Sequence, residues 1–256
     1  MSVNGRPVAL VVQHEESCPP AMFAAWLSAA GVKLDVQRAD LAELPPLASP
    51  TGSYAGLLVL GGAMDADADE DHPWLPVVRR RIVEAAEAGV PTLGICLGHQ
   101  LAALALGGRV GRNPHGRTLG IRQVDWEPAV IFDPLLRGIA GEDRAVHANQ
   151  DVVTDLPPEA ELLATTLDRQ VQAARLAPTV WGVQFHPEAD AELVARWGES
   201  SRETPWERSP EEVNAEVALA EPELHTTWQA LAEAFARLVR GRAAAAATLG
   251  LNTRGH

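Results

Sequence analysis

The sequence predicts an α/β fold: a mostly parallel central sheet with helices on both faces, a small β-rich addition and a helical C-terminal extension. Three observations carry this. From Val8 to Leu106, short apolar runs bounded by turn residues alternate with helical patterns, as in a sheet built through crossover helices. From Ile121 to Val183 the pattern is richer in β structure. Beyond Glu188 it becomes helical. At 256 residues the chain can bury a sizeable core without cross-links.

In order, Val8 to Val12 reads as the first strand, Ala21 to Ala30 as a helix stopped by Gly31, and Lys33 to Gln37 as the second strand. Gly56 to Leu60 is the third strand and runs into Gly61-Gly62. Trp74 to Ala88 follows as an amphipathic helix that Gly89 ends. Pro91 leads into the strand Thr92 to Ile95, which turns at Cys96 into a helix over Leu97 to Leu106, closed by Gly107-Gly108. Further strands are expected at Ile121 to Trp126, Glu161 to Thr165, Val171 to Leu176 and Val180 to Phe185. Ala191 to Trp197 and Glu211 to Val239 are helical in pattern, joined by a polar stretch around Ser200 to Pro210, and the Ala-rich end and final NTRGH are expected to fray. This divides the chain into an α/β domain over residues 1–190 and a helical extension over 191–256 that packs on or flanks it.

Composition narrows the function classes. The formal charge is −13, with acids spread along the chain rather than clustered Lys and Arg, which argues against a nucleic-acid surface. The N-terminus MSVNGRPVALVVQ lacks a charged leader and long apolar run, and no stretch reaches the roughly 18 apolar residues of a membrane span, so a cytoplasmic protein is expected. Cys18 and Cys96 sit in unlike contexts, a Pro-flanked loop and a Gly-rich turn, and no disulfide is expected between them.

The strongest chemical signal is Thr92-Leu-Gly-Ile-Cys-Leu-Gly-His-Gln100. A glycine two residues to either side of a nucleophile is what a strained strand-to-helix turn requires, because side chains there would strike neighbouring backbone. Such a turn lifts the Cys96 sulfur to the carboxyl edge of the sheet, at a helix N-terminus whose positive end favours thiolate. The N–H of Leu97 then points where a tetrahedral oxyanion would form, and Gly61-Gly62, directly after a strand end, is the natural source of its partner. A nucleophile that must expel an amine needs a proton donor, and Phe185-His-Pro-Glu188 supplies a histidine with a carboxylate able to fix its tautomer. Cys96, His186 and Glu188 are therefore the catalytic candidates.

Gly61-Gly62, Gly94-Ile-Cys-Leu-Gly-His-Gln100 and Gly182-Val-Gln-Phe-His-Pro-Glu188, in this order, resemble the class I glutamine amidotransferases of the Cys-His-Glu type. The resemblance spans roughly Val8 to Glu188, and Asp71-His-Pro-Trp74, Ala88-Gly-Val-Pro-Thr-Leu-Gly94 and Leu156-Pro-Pro158 are similar to free-standing members like the amidotransferase part of GMP synthase. It implies the flavodoxin-like fold of that family and hydrolysis of the L-glutamine side-chain amide through a γ-glutamyl thioester on Cys96. His186 would be general acid and base, with Glu188 orienting it. The N–H groups of Gly62 and Leu97 would form the oxyanion hole. Gly61, Gln100, Ala148 and Asn149 would bind substrate. Where relatives carry a Ser-His-Gly-Asp-like segment for the amino-acid end of glutamine, this chain has Ala148-Asn-Gln-Asp151, without the histidine.

Other residues are not promoted. His147 reads as a strand-end histidine, since His186 already has its carboxylate. His99, in the elbow helix, is assigned no role. The acids from Asp65 to Asp71 lack the glycine and distal glutamate of a calcium hand and read as a solvated loop beside the site mouth. Cys18 has no flanking glycines and no catalytic part. Neither a metal nor a cofactor is expected. Two rivals stand beside the glutaminase reading: a hydrolase of other γ-glutamyl amides or esters, which the changed Ala148–Asp151 segment favours, and a non-catalytic regulatory or binding protein, which the intact Cys96, His186 and Glu188 disfavour. A separate synthetase subunit and a second copy of the chain are the protein partners considered.

Overall fold

A computed structural model describes residues 2–3, 5–49, 52–139, 141, 144–200 and 208–252. The chain runs through β1 (Ser2–Val3), β2 (Arg6–Gln13), α1 (Ala21–Ala29), β3 (Lys33–Arg38), β4 (Ala48–Ser49), β5 (Gly52–Ser53) and β6 (Gly56–Val59). Next come α2 (Leu75–Glu87), β7 (Thr92–Ile95), α3 (Leu97–Ala105), β8 (Arg109–Arg112), β9 (Thr118–Gln123) and β10 (Asp125–Trp126). β11 (Arg144–Asn149), β12 (Asp151–Asp155), β13 (Glu161–Thr165), β14 (Val171–Ala177) and β15 (Val180–Val183) follow, and α4 (Ala191–Ser200) and α5 (Pro210–Asn252) close the chain.

The main sheet has the order β1-β2-β6-β7-β15-β14-β13-β10, with β3 also on β2. β3, β2, β6, β7 and β15 run parallel, and β14, β13 and β10 continue the sheet antiparallel. Strand alternation sorts the core. On β2, Val8, Leu10 and Val12 join Leu75, Val78 and Ile82 of α2 and Leu101 of α3 on one face. Ala9 and Val11 point the other way, into a cluster with Phe23 and Leu27 of α1 and Trp228, Phe235 and Val239 of α5. Among the described residues no helix is long and apolar enough to cross a membrane.

Two expectations are corrected. The single strand expected at Ile121 to Trp126 is two: β9 pairs with β11 in a separate small sheet, while Asp125–Trp126 joins β13 at the edge of the main sheet. The apolar pattern runs on across the break because Val124, between the strands, is itself buried. The Ala-rich end does not fray within the described residues: α5 stays helical to Asn252. Alanine has the highest helix propensity, and here it extends a helix already nucleated by packing. Part of the polar stretch, residues 201–207, and residues 253–256 lie outside the described residues.

α5 closes over the sheet so tightly that a Cβ added to Gly56 would stand 2.5 Å from Val239 Cγ2. Valine is stiff at χ1 and cannot swing away cheaply. Gly56→Ala is expected to cost about 1–3 kcal/mol of stability, read as a lowered urea midpoint, and Val239→Ala in the same chain should recover part of it. A double variant no more stable than Gly56→Ala would show that this contact is not the constraint.

Candidate functional site

The adjacent parallel strands β7 and β15 deliver the two motifs to one edge. Gly94 pairs with Gly182 and Ile95 with Val183, and the Cys96 N–H donates to Val183 O at 2.8 Å. Beyond these strand ends Cys96 and His186 line a common pocket with Gly62, Gln100, Ala148 and Asn149.

Cys96 sits at φ +51°, ψ −106°, directly before α3. A non-glycine residue in this region is held there at a cost of about 1–3 kcal/mol by its surroundings. Those surroundings are identifiable. A Cβ on Gly94 would lie 2.4 Å from Gly98 O, and one on Gly98 would lie 2.1 Å from Val59 O. Only hydrogen at both positions lets the turn fold back on β7 and seat the first turn of α3 against β6. The buried Cys96 sulfur is 3.9 Å from Ala148 O, and the Gln184 amide reaches it at 3.6 Å.

His186 and Glu188 are both buried, with Nδ1 and Oε1 2.8 Å apart. Burial pulls the imidazole pKa down, but the Glu188 carboxylate, then the Cys96 sulfur, outweigh it and push it up to about 10. The imidazole thus sits between a carboxylate and the sulfur, both of which favour its protonated form. The His186 main-chain N–H donates to Val146 O at 2.7 Å, and the Trp197 ring lies 4.5 Å from the imidazole, its indole N–H donating to Ser17 O at 3.0 Å. Gly61 passes under the imidazole, where a Cβ would come 3.0 Å from His186 Cε1. Gly62 packs equally closely on Leu97, its Cβ position 2.8 Å from Leu97 Cδ2. Gln100 Nε2 donates to Asp151 O at 2.9 Å and to Gln184 Oε1 at 3.2 Å, and Asn149 Nδ2 donates to Asp151 O at 3.1 Å, while its Oδ1 has no partner among the described residues.

Of the nine residues singled out from sequence, six line one pocket, and Gly61, Leu97 and Glu188 stand behind its wall. Other residues not singled out also border it. Gln184, Trp197 and Glu15 border the sulfur or the pocket, and Cys18 forms part of the wall with its thiol pushed up by burial and by Glu15. His147 is buried beside Phe185, its pKa lowered to about 3 by burial and the neighbouring His186. His99 is wholly buried against β15: a Cβ on Gly182 would fall 2.0 Å from its Nδ1. Asp65 borders the pocket and pairs with Arg112 at 2.7 Å.

A nucleophile on a strained turn, a buried imidazole with its carboxylate and a pocket open to both form an arrangement suited to acyl transfer. Comparison with known proteins points the same way. Residues 21–194 match the family model for glutamine amidotransferase class-I. The chain is 40% identical over 114 residues to GMP synthase [glutamine-hydrolyzing] of Clostridium novyi, covering 44% of this chain and 22% of that enzyme. It is 29% identical over 147 residues to gamma-glutamyl peptidase 5 of Arabidopsis thaliana, covering 55% of this chain and 56% of that protein. In both cases the match spans less than two thirds of the relative. The crystal structure of a glutamine amidotransferase from Thermotoga maritima superposes with a TM-score of 0.77 at 25% identity, covering 91% of this chain and 98% of that one. The chain belongs to the class I glutamine amidotransferase family.

Proposed function

We propose that the chain hydrolyses the side-chain amide of L-glutamine to glutamate and ammonia. The Cys96 sulfur attacks the amide carbon, and the N–H groups of Gly62 and Leu97 stabilise the oxyanion. The carbon–nitrogen bond then breaks as His186 gives its proton to the departing nitrogen, leaving a γ-glutamyl thioester. Water, giving a proton to His186, attacks the thioester, and the carbon–sulfur bond breaks to release glutamate. Glu188 keeps the imidazole charged and oriented, and Gly61, Gln100, Ala148 and Asn149 position the substrate. The reading also includes a cytoplasmic location, a separate synthetase subunit that takes the ammonia, and division of the chain at residue 190. The observation that carries it is the meeting of the strained Cys96 turn with the buried His186–Glu188 pair in one pocket.

Incubating the purified chain with L-glutamine and a panel of γ-glutamyl compounds, and measuring ammonia or free amine, tests it. Glutamine turnover should vanish in Cys96→Ala, a loss on the order of 10⁴-fold or more. Turnover that survives the substitution would sink the thioester route. A second reading, hydrolysis of larger γ-glutamyl amides, is favoured by one feature: Asn149, in the segment that lacks the usual histidine, also lines a neighbouring cavity.

A further inference from the structure

Beside the Cys96 pocket lies a second cavity of about 270 Å³, and the two share Arg117 and Asn149 in their walls. It opens between the small β9–β11 sheet and the start of β14. The register sets Asn149 opposite Thr118 and His147 opposite Gly120, and Thr118, Arg122, His147 and Asn149 line the cavity with Gln172 of β14.

Its chemistry is unusual for an incidental void. His147 is 2% exposed, Gln172 1% and Asn149 7%, yet His147 Nε2, Gln172 Oε1 and Asn149 Oδ1 have no hydrogen-bond partner among the described residues. Leaving buried polar groups unsatisfied costs about 1–3 kcal/mol each, a cost that a ligand would offset. Two of the three are amide oxygens, which accept N–H. Arg117 and Arg122 supply guanidinium donors to the same space, a local positive charge in a chain of net −13. The cavity's acid, Asp168, is engaged by His115 at 3.0 Å. N–H acceptors beside guanidinium groups match a molecule that carries amide or amine N–H groups and a carboxylate.

We infer that this cavity is a subsite for the leaving half of a γ-glutamyl amide, an amino acid or short peptide whose N–H groups meet Asn149 and Gln172 and whose carboxylate meets Arg122. It rests on the second reading above, and it adds γ-glutamyl peptides to glutamine as substrates of the same Cys96 site. With Arg117 and Asn149 bordering both spaces, the leaving nitrogen would lie in the Cys96 pocket and the rest of that half would reach past these two residues into the second cavity.

Binding tests the subsite apart from catalysis. In the Cys96→Ala chain, calorimetric titration with alanylglycine should give saturable binding. Binding of its C-terminal amide, or of alanylglycine to a Cys96→Ala/Arg122→Gln chain, should be about tenfold weaker or worse, the loss of one charge-assisted hydrogen bond. No binding, or equal binding of the dipeptide and its amide, overturns the subsite whether or not the chain proves a glutaminase. With Cys96 intact, Arg122→Gln should lower kcat/KM for γ-glutamyl-alanylglycine about tenfold while leaving glutamine turnover within about twofold. Equal losses on both substrates would overturn it too, and absence of all turnover with intact dipeptide binding would sink the catalytic reading alone.

Discussion

Replacing Glu188 with glutamine is expected to cut turnover on the order of 10²- to 10⁴-fold while leaving the chain folded. The substitution is nearly isosteric. What it removes is the charge that keeps His186 protonated: the carboxylate 2.8 Å from Nδ1 is the largest favourable influence on an imidazole that burial pulls the other way. Without it, burial dominates and the His186 pKa should fall well below about 10. The sign for stability follows. Because the folded pKa is raised above the ordinary histidine value of 6.5, the contribution of the His186 proton is fully present below pH 6.5 and is lost as pH rises through about 10. Unfolding in urea should therefore show wild-type stability declining between these limits, and a flatter profile in Glu188→Gln. NMR titration of the imidazole checks the cause directly. An unchanged His186 pKa in Glu188→Gln, or near wild-type turnover, would remove Glu188 from the assignment.

Much of this site was legible because chemistry and backbone geometry coincide in short segments. Gly94 and Gly98 could be read as space requirements before any coordinates, and each does face backbone within 2.4 Å. Gln184 was also within reach: it lies directly after an apolar strand and two residues before His186, and its amide reaches the sulfur. Trp197 was not. Its ring meets His186 only because α4 folds back across the strand ends and its indole bonds to Ser17, a contact between distant segments that no local period encodes. The same holds for α5. Its apolar residues announce a buried helix, but nothing local indicates that Trp228 will pack 4.8 Å from Phe185, the neighbour of the proposed base. The β9–β10 break was hidden for the opposite reason, since one continuous apolar pattern serves two sheets.

The largest stability loss is expected from Gly98→Ala. Its new Cβ would stand 2.1 Å from Val59 O and 2.8 Å from Val59 C, and both obstacles are main chain of β6, in the middle of the sheet. A side chain in the way could rotate, but here α3 and β6 must separate. Doing so withdraws Leu97, Leu101 and Ala102 from the core cluster they share with Val59 and loosens the turn that holds Cys96 at positive φ. Overpacking of this kind, with lost burial added, should cost about 3 kcal/mol or more. Gly138→Ala is the matched control, because a Cβ there meets nothing within 4 Å and its φ is unexceptional, so stability should stay within about 1 kcal/mol of wild type or rise. Thermal and urea unfolding give the stabilities. Alkylation of Cys96 by a glutamine-mimicking electrophile, set against alkylation by iodoacetamide, shows whether the turn still presents the sulfur. If Gly98→Ala were as stable as Gly138→Ala and labelled at the wild-type rate, close approach between α3 and β6 could not be what fixes the position of Cys96.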